Sequence, residues 1–275
     1  MIRAIPLPFF LVLGIGLSAQ TAPQATMTKP FVFGAVHAFH SNELDQERTL
    51  NVYLPDGYSP DSAAYPVVYV LDGSANEDFP HIAGLVQFMN MYDLWPKSIV
   101  VGIANVDRRH DLTYPSQDTA DQHMVPTAGG SAAFMRFLGN EVEPFIQANY
   151  RAGGPRTLIG QSLGGLFATE VLFTRPDLFD NYIIVSPSIW WDKGSMIAKA
   201  EAYLFNHPHL ARRVFFALGS EGDEMQQGMD KLLATIKAQA GPELEWHYEA
   251  FPAESHATIL HRAVYRGFEL LHPKK

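Results

Sequence analysis

Short apolar runs alternate along the chain with longer stretches in which apolar residues recur every three or four positions. Residues 65–71 (YPVVYVL), 98–103 (SIVVGI), 182–185 (YIIV) and 213–218 (RVFFAL) belong to the first kind. Rich in β-branched and aromatic residues, they read as strands covered on both faces of a parallel sheet. Residues 50–54 (LNVYL) alternate in polarity before the turn signal Pro55-Asp56-Gly57, and residues 156–160 and 244–251 add two more strands. Helical spacing fills 82–91, 131–150, 166–173, 197–205, 229–240 and 258–271. Strands that alternate with helices of this length predict a doubly wound α/β domain: a mostly parallel central sheet, helices on both faces, and an antiparallel strand or two from the first half. In such a sheet the ligand site lies beyond the carboxyl ends of the strands, so the loops there are where chemistry is to be sought.

Composition narrows the function. Of 275 residues, 47% are apolar and 18% charged, which supports a large core and excludes a disordered or collagen-like chain. No repeat or linker divides the body, so residues 31–275 are expected to form one domain. The net charge of −9 argues against a nucleic-acid partner. The absence of cysteine removes thiol nucleophiles, disulfides and Cys-ligated metals. Residues 1–19 pair one arginine with an apolar run and end on Ser18-Ala19, the pattern of a secretory leader. The run falls short of the roughly 20 residues that span a bilayer, so export without stable membrane insertion is expected. Polar residues 20–30 are expected to form a mobile arm.

Chemistry concentrates where Gly160-Gln161-Ser162-Leu163-Gly164 joins a predicted strand to a predicted helix. A G-x-S-x-G sequence in that context is a nucleophile elbow, its glycines letting strand and helix pass closely; Gly160 and Gly164 meet that need. A serine hydroxyl requires a general base, and in elbow enzymes the chain order is nucleophile, acid, histidine. Of the histidines after Ser162, His256 lies in the loop between the last strand and last helix, with His261 the fallback one turn later. The acid is sought after the strand 213–218, in Gly219-Ser220-Glu221-Gly222-Asp223-Glu224. Glu221, whose longer arm reaches from a nearer position, stands slightly ahead of Asp223. Asp192 is a remoter candidate, and a Ser162–His256 dyad is the alternative. The oxyanion donors are expected from the N–H of Leu163 and from Gly73 or Ser74, in the loop after strand 65–71.

Four segments, YPVVYVLDG, VGIANVDRRHDLTYP, LIGQSLGGLFATEVLFTRPDLFDNYIIVSPSIWWD and ESHATILHRAVYRGFELL, together resemble the "Putative esterase" group of α/β-hydrolases, which includes esterase D and the enterochelin esterases. The resemblance implies an α/β-hydrolase fold and a cofactor-free serine hydrolase of small-molecule carboxylic esters, with Ser162 and His256 as nucleophile and base. It also implies that Arg109 or Arg108 helps bind an anionic or carbonyl-rich substrate group; Trp190 and Trp191, which follow the strand 182–185, are placed to wall the pocket. The acidic loop departs from a single-Asp pattern. Siderophore-type and acylated-sugar esters are the expected substrates. An acyltransferase using another acceptor than water and a non-catalytic binding protein on the same scaffold are the competing readings.

Overall fold

The computed structural model describes Ala22 and residues 24–272. It divides into two compact units, Met1–Val32 and Phe33–Lys275. In the first unit, Ala22 and residues 24–32 carry no helix or strand; the leader expected over 1–19 lies outside the described residues. Among the described residues no helix is long and apolar enough to cross a membrane.

The second unit runs β1 (Ala35–Ser41), β2 (Gln46–Tyr53), β3 (Tyr65–Val70), α1 (Phe79–Met91), β4 (Ile99–Ile103), α2 (Arg108–Asp111), α3 (Thr119–Met124), α4 (Ser131–Phe137), α5 (Glu143–Asn149) and β5 (Ala152–Gln161). It continues with α6 (Leu163–Leu172), β6 (Asn181–Val185), α7 (Trp191–Asn206), β7 (Arg213–Gly219), α8 (Asp223–Gln239), β8 (Glu245–Phe251) and α9 (Ile259–Leu271). The strands form one eight-stranded sheet in the order β1-β2-β4-β3-β5-β6-β7-β8. β1 and β2 pair antiparallel, β2 meets β4 antiparallel, and all other pairs are parallel. This is the α/β-hydrolase architecture.

Successive side chains of a strand face opposite sides, and the two cores follow that alternation. Tyr69, Leu158, Ile184 and Phe216 pack with Phe134, Phe167, Met196 and Leu232 from α4, α6, α7 and α8. Val70, Ile159, Ile183 and Phe215 pack with Ile82 and Val86 of α1 and Val264 and Phe268 of α9. The parallel strands therefore read as unbroken apolar runs because both faces are covered. Helix α6 is the extreme case: every residue from Gly164 to Leu172 is buried.

Besides the short helices α2 and α3, which the sequence reading lacks, three elements differ from it. β1 (AVHAFHS) is an edge strand with a largely exposed, mixed surface, so it lacks the apolar signal of the inner strands. The single helix expected over 131–150 contains a π-helical turn, Leu138–Val142. Pro144 follows it; proline has no N–H to return to the preceding turn, and the wider turn accommodates the gap. The helix expected from 197 begins at Trp191, but Asp192, Lys193 and Gly194 are left-handed, with φ of 51°, 53° and 76°, so its regular part starts after them.

Candidate active site

Segments at the carboxyl ends of β3, β4, β5 and β8 converge on one cavity of about 450 Å³. Ser162 and Gln161 enter it from the end of β5, Asp72 and Asp78 from the β3–α1 segment, Arg108 from α2, and His256 from the β8–α9 loop. A larger cavity, about 740 Å³, opens at the amino ends of the strands around Arg156, Arg212 and Arg213. No serine, threonine, histidine or lysine lines it, so nucleophilic chemistry belongs to the smaller one.

Ser162 sits at φ 61°, ψ −120°, a strained backbone for a residue with a Cβ. Its N–H is anchored on Val185 O at 3.1 Å, and its carbonyl accepts from Leu166 N–H at 2.9 Å. The turn is thereby fixed from β6 on one side and α6 on the other. Leu163 is the first residue of α6, where N–H groups have no partner within the helix. The helix dipole adds positive potential at the same place.

The glycine requirement differs from the sequence reading. A Cβ on Gly160 would overlap the Gly164 carbonyl, and one on Gly165 would lie 2.9 Å from both Pro187 Cα and Val185 O. Gly164 has room: a Cβ there would meet Asp72 Oδ2 at 3.4 Å and Leu71 Cβ at 3.5 Å. Gly160→Ala is therefore expected to cost about 3 kcal/mol or more through backbone overlap, whereas Gly164→Ala leaves the unfolding midpoint near wild type. Chemical denaturation of the two variants makes the comparison.

His256 and Glu221 meet: His256 Nδ1 lies 2.5 Å from Glu221 Oε2. Since a carboxylate only accepts, Nδ1 carries the proton and Nε2 is left with its lone pair. The Glu221 side chain is 2% exposed, and its other oxygen accepts from Ser186 Oγ at 2.5 Å and Gly219 N–H at 3.1 Å. The loop carrying His256 is pinned as well, with Ser220 N–H donating to Glu254 O at 2.7 Å and Gln161 Nε2 donating to His256 O. Ser162 and His256 face the same cavity without a hydrogen bond between them; such bonds are often long before substrate binds.

Other expected site residues are placed differently. Asp223 is exposed in the first turn of α8. Asp192 accepts from Gln117 N–H at 2.7 Å and Ser116 Oγ at 3.1 Å, holding the loop before α3 rather than a histidine; against burial, the Ser195 hydroxyl, these two bonds and the Lys199 charge keep its carboxyl below the usual range. Trp191 is fully buried, with Nε1 donating to Tyr114 O at 2.9 Å. Trp190 packs half-buried beside it, and neither lines the cavity. Arg109 is exposed and outside the cavity. His261 stands in a separate surface groove against His81, ring centroids 4.4 Å apart. Gly73 lies against β4, its N–H donating to Ile103 O at 3.0 Å and its carbonyl accepting from Asn51 Nδ2 at 2.8 Å. Its N–H is thus already used within the fold.

Sequence reasoning missed four contributors. Asp72 and Asp78 flank the glycine-bearing turn but carry no motif, Gln161 is the variable position of G-x-S-x-G, and Ser186 is the first serine of the SPS segment after β6. The left-handed backbone at Asp72 and Ser186 (φ 53° and 45°) is visible only in the fold. Among the described residues no group of three or more His, Cys, Asp or Glu side chains is placed to hold a metal ion.

Comparisons with known proteins bear on the family and the fold. The model of the family described as "Putative esterase" matches residues 41–265. Ferri-bacillibactin esterase BesA of Bacillus subtilis is 28% identical over 254 residues, covering 83% of this chain and 87% of that protein. A siderophore enterobactin esterase of Emericella nidulans is 37% identical over 123 residues, 40% of this chain and 41% of that one. Among solved structures, an IroE-like serine hydrolase from Shewanella oneidensis superposes with a TM-score of 0.79 at 27% identity, covering 87% of this chain and 80% of the other. A match across most of the second unit, carried by relatives that hydrolyse esters and by the same fold, makes this chain a member of the "Putative esterase" family and an ester hydrolase.

Proposed function

We propose that this protein is an exported serine carboxylic-ester hydrolase that works through an acyl-enzyme on Ser162. The observation that carries the reading is the 2.5 Å contact of His256 Nδ1 with buried Glu221, in the cavity that Ser162 lines. Glu221 holds the imidazole in the tautomer that leaves Nε2 basic. As Ser162 Oγ bonds to the ester carbonyl carbon, Nε2 takes its proton, and the carbonyl π electrons move onto oxygen. That oxyanion is held by the N–H groups of Leu163 and Ser74, fixed dipoles that need no reorganisation. Collapse expels the alkoxide, which leaves with the proton from Nε2. A water, deprotonated by the same nitrogen, then attacks the acyl carbon and releases the acid and Ser162. None of these steps calls for a metal or organic cofactor.

Siderophore-type esters are the substrate class that the relatives' activities favour, and the leader pattern of residues 1–19 supports export. A fluorophosphonate is expected to add to Ser162 alone, seen as a mass shift on the peptide that contains it, with ester hydrolysis lost in step with labelling. Hydrolysis persisting after full labelling, or label carried by another residue, overturns the assignment.

A further inference from the structure

The resemblance gives Arg108 or Arg109 to an anionic or carbonyl-rich part of the substrate; of the two, only Arg108 lines the cavity, and its guanidinium is engaged there. Arg108 grips both oxygens of Asp72, Nε to Oδ1 at 2.5 Å and Nη2 to Oδ2 at 2.9 Å, and Nη2 also reaches Gln161 O at 3.3 Å. A bidentate pair of this kind spends the guanidinium's charge and fixes its direction. Arg109 is exposed and off the cavity. Two further carboxylates line the same wall, Glu77 and Asp78. Among the described residues Glu77 accepts only from the neutral amide of Asn105, at 3.1 and 3.4 Å. Asp78 stands at the start of α1 but makes no side-chain capping bond.

The groups facing Asp78 are Asp72 and Glu77 on its own segment and Arg108 from α2; His256 enters the cavity from the β8–α9 loop. Burial, then Asp72 and Glu77, push the Asp78 carboxyl up to about 6, against the opposing pull of Arg108. Above that pH the wall around the nucleophile sets three carboxylates, Asp72, Glu77 and Asp78, against the single guanidinium of Arg108, whose side-chain bonds go to Asp72.

We propose that this cavity discriminates by charge, taking esters whose acyl side is neutral or cationic and rejecting those with an anionic group next to the scissile carbonyl, with Asp78 as the specificity-determining residue. The inference rests on the serine-esterase reading, because the cavity concerned is the one that Ser162 lines. It orders the candidate siderophore esters: a polyanionic chelate is disfavoured against a neutral one. Rejection by an unpaired like charge is a common route to specificity.

Three p-nitrophenyl esters with one leaving group test it: the valerate, the hemisuccinate and the 4-trimethylammoniobutyrate. At pH 8 the hemisuccinate is expected to show kcat/KM lower than the valerate by about tenfold, with the cationic ester at or above the valerate. The ratio of hemisuccinate to valerate cancels any titration of His256 common to both. It should rise as pH falls through 6 towards 5, while the hemisuccinate keeps its charge, and rise at pH 8 in Asp78→Asn. Glu77→Gln, at an exposed position, is expected to move the ratio the same way by less, and the wild-type pH series needs no variant at all. Equal kcat/KM for the three esters at pH 8, or a hemisuccinate deficit unmoved by pH and by both substitutions, overturns charge selection while leaving the serine-esterase reading intact. Hydrolysis of none of the esters, or hydrolysis unaffected by Ser162→Ala, overturns both.

Discussion

Ser162→Ala is expected to lower kcat for a p-nitrophenyl ester by about 10⁴–10⁶-fold, with KM little changed and the fold intact. The separation of activity from stability follows from local geometry. The Ser162 hydroxyl has no hydrogen-bond partner within the protein among the described residues, so its removal breaks no structural contact. The anchors of the turn, the bonds of its N–H to Val185 O and of its carbonyl to Leu166 N–H, are main-chain bonds that alanine keeps. Alanine also has the same difficulty as serine at φ 61°, so the strain is unchanged. What remains after the substitution is an oxyanion site and a base that can activate water directly, which sets the residual rate above the uncatalysed one. Steady-state kinetics with a thermal midpoint measured alongside decides the matter. A midpoint at the wild-type value with kcat within tenfold of wild type would show that the elbow serine is not the nucleophile.

The fold was legible in the chain because its inner strands are buried on both faces. Continuous runs such as YPVVYVL and RVFFAL have few alternatives once helices of ten or more residues separate them. β1 was not legible because an edge strand with half its side chains in solvent has neither an apolar run nor strict alternation. That Ser162 and His256 would share one cavity was legible for topological reasons: a strand-to-helix junction marks Ser162, and the loop after the last strand marks His256. Which carboxylate meets His256 was not, since Glu221 and Asp223 stand two residues apart in one loop and only the onset of α8 separates them, turning Asp223 towards solvent. The substrate-side assignments fared differently again. A tryptophan or arginine in a loop near the site serves a wall, a core or an ion pair equally well. Burial and the Asp72 carboxylate, both properties of the assembled molecule, decide among those uses for Trp191 and Arg108.

Glu221→Gln is expected to lower kcat by about 10³–10⁴-fold, and Asp223→Asn to leave kcat and KM at wild-type values. Glutamine preserves the volume of a side chain only 2% exposed, so the loss is one of proton placement. Its oxygen can keep the positions that accept from Ser186 Oγ and Gly219 N–H, but its amide nitrogen then faces His256 Nδ1. Two donors cannot share that contact, so the imidazole must move its proton to Nε2, the atom that has to accept from Ser162. The flipped amide avoids this conflict only by setting its N–H₂ against the Gly219 N–H at a buried position. Either arrangement weakens the base while leaving the cavity's shape unaltered, so the change should fall on kcat rather than KM. Asp223, in the first turn of α8, contributes at most its favourable position near a helix amino end, worth about 0.3–1 kcal/mol of stability. Kinetics of the two variants side by side separate the candidates: a large loss in Asp223→Asn with none in Glu221→Gln would transfer the role to Asp223. Wild-type rates in both would leave Ser162 and His256 to act as a dyad.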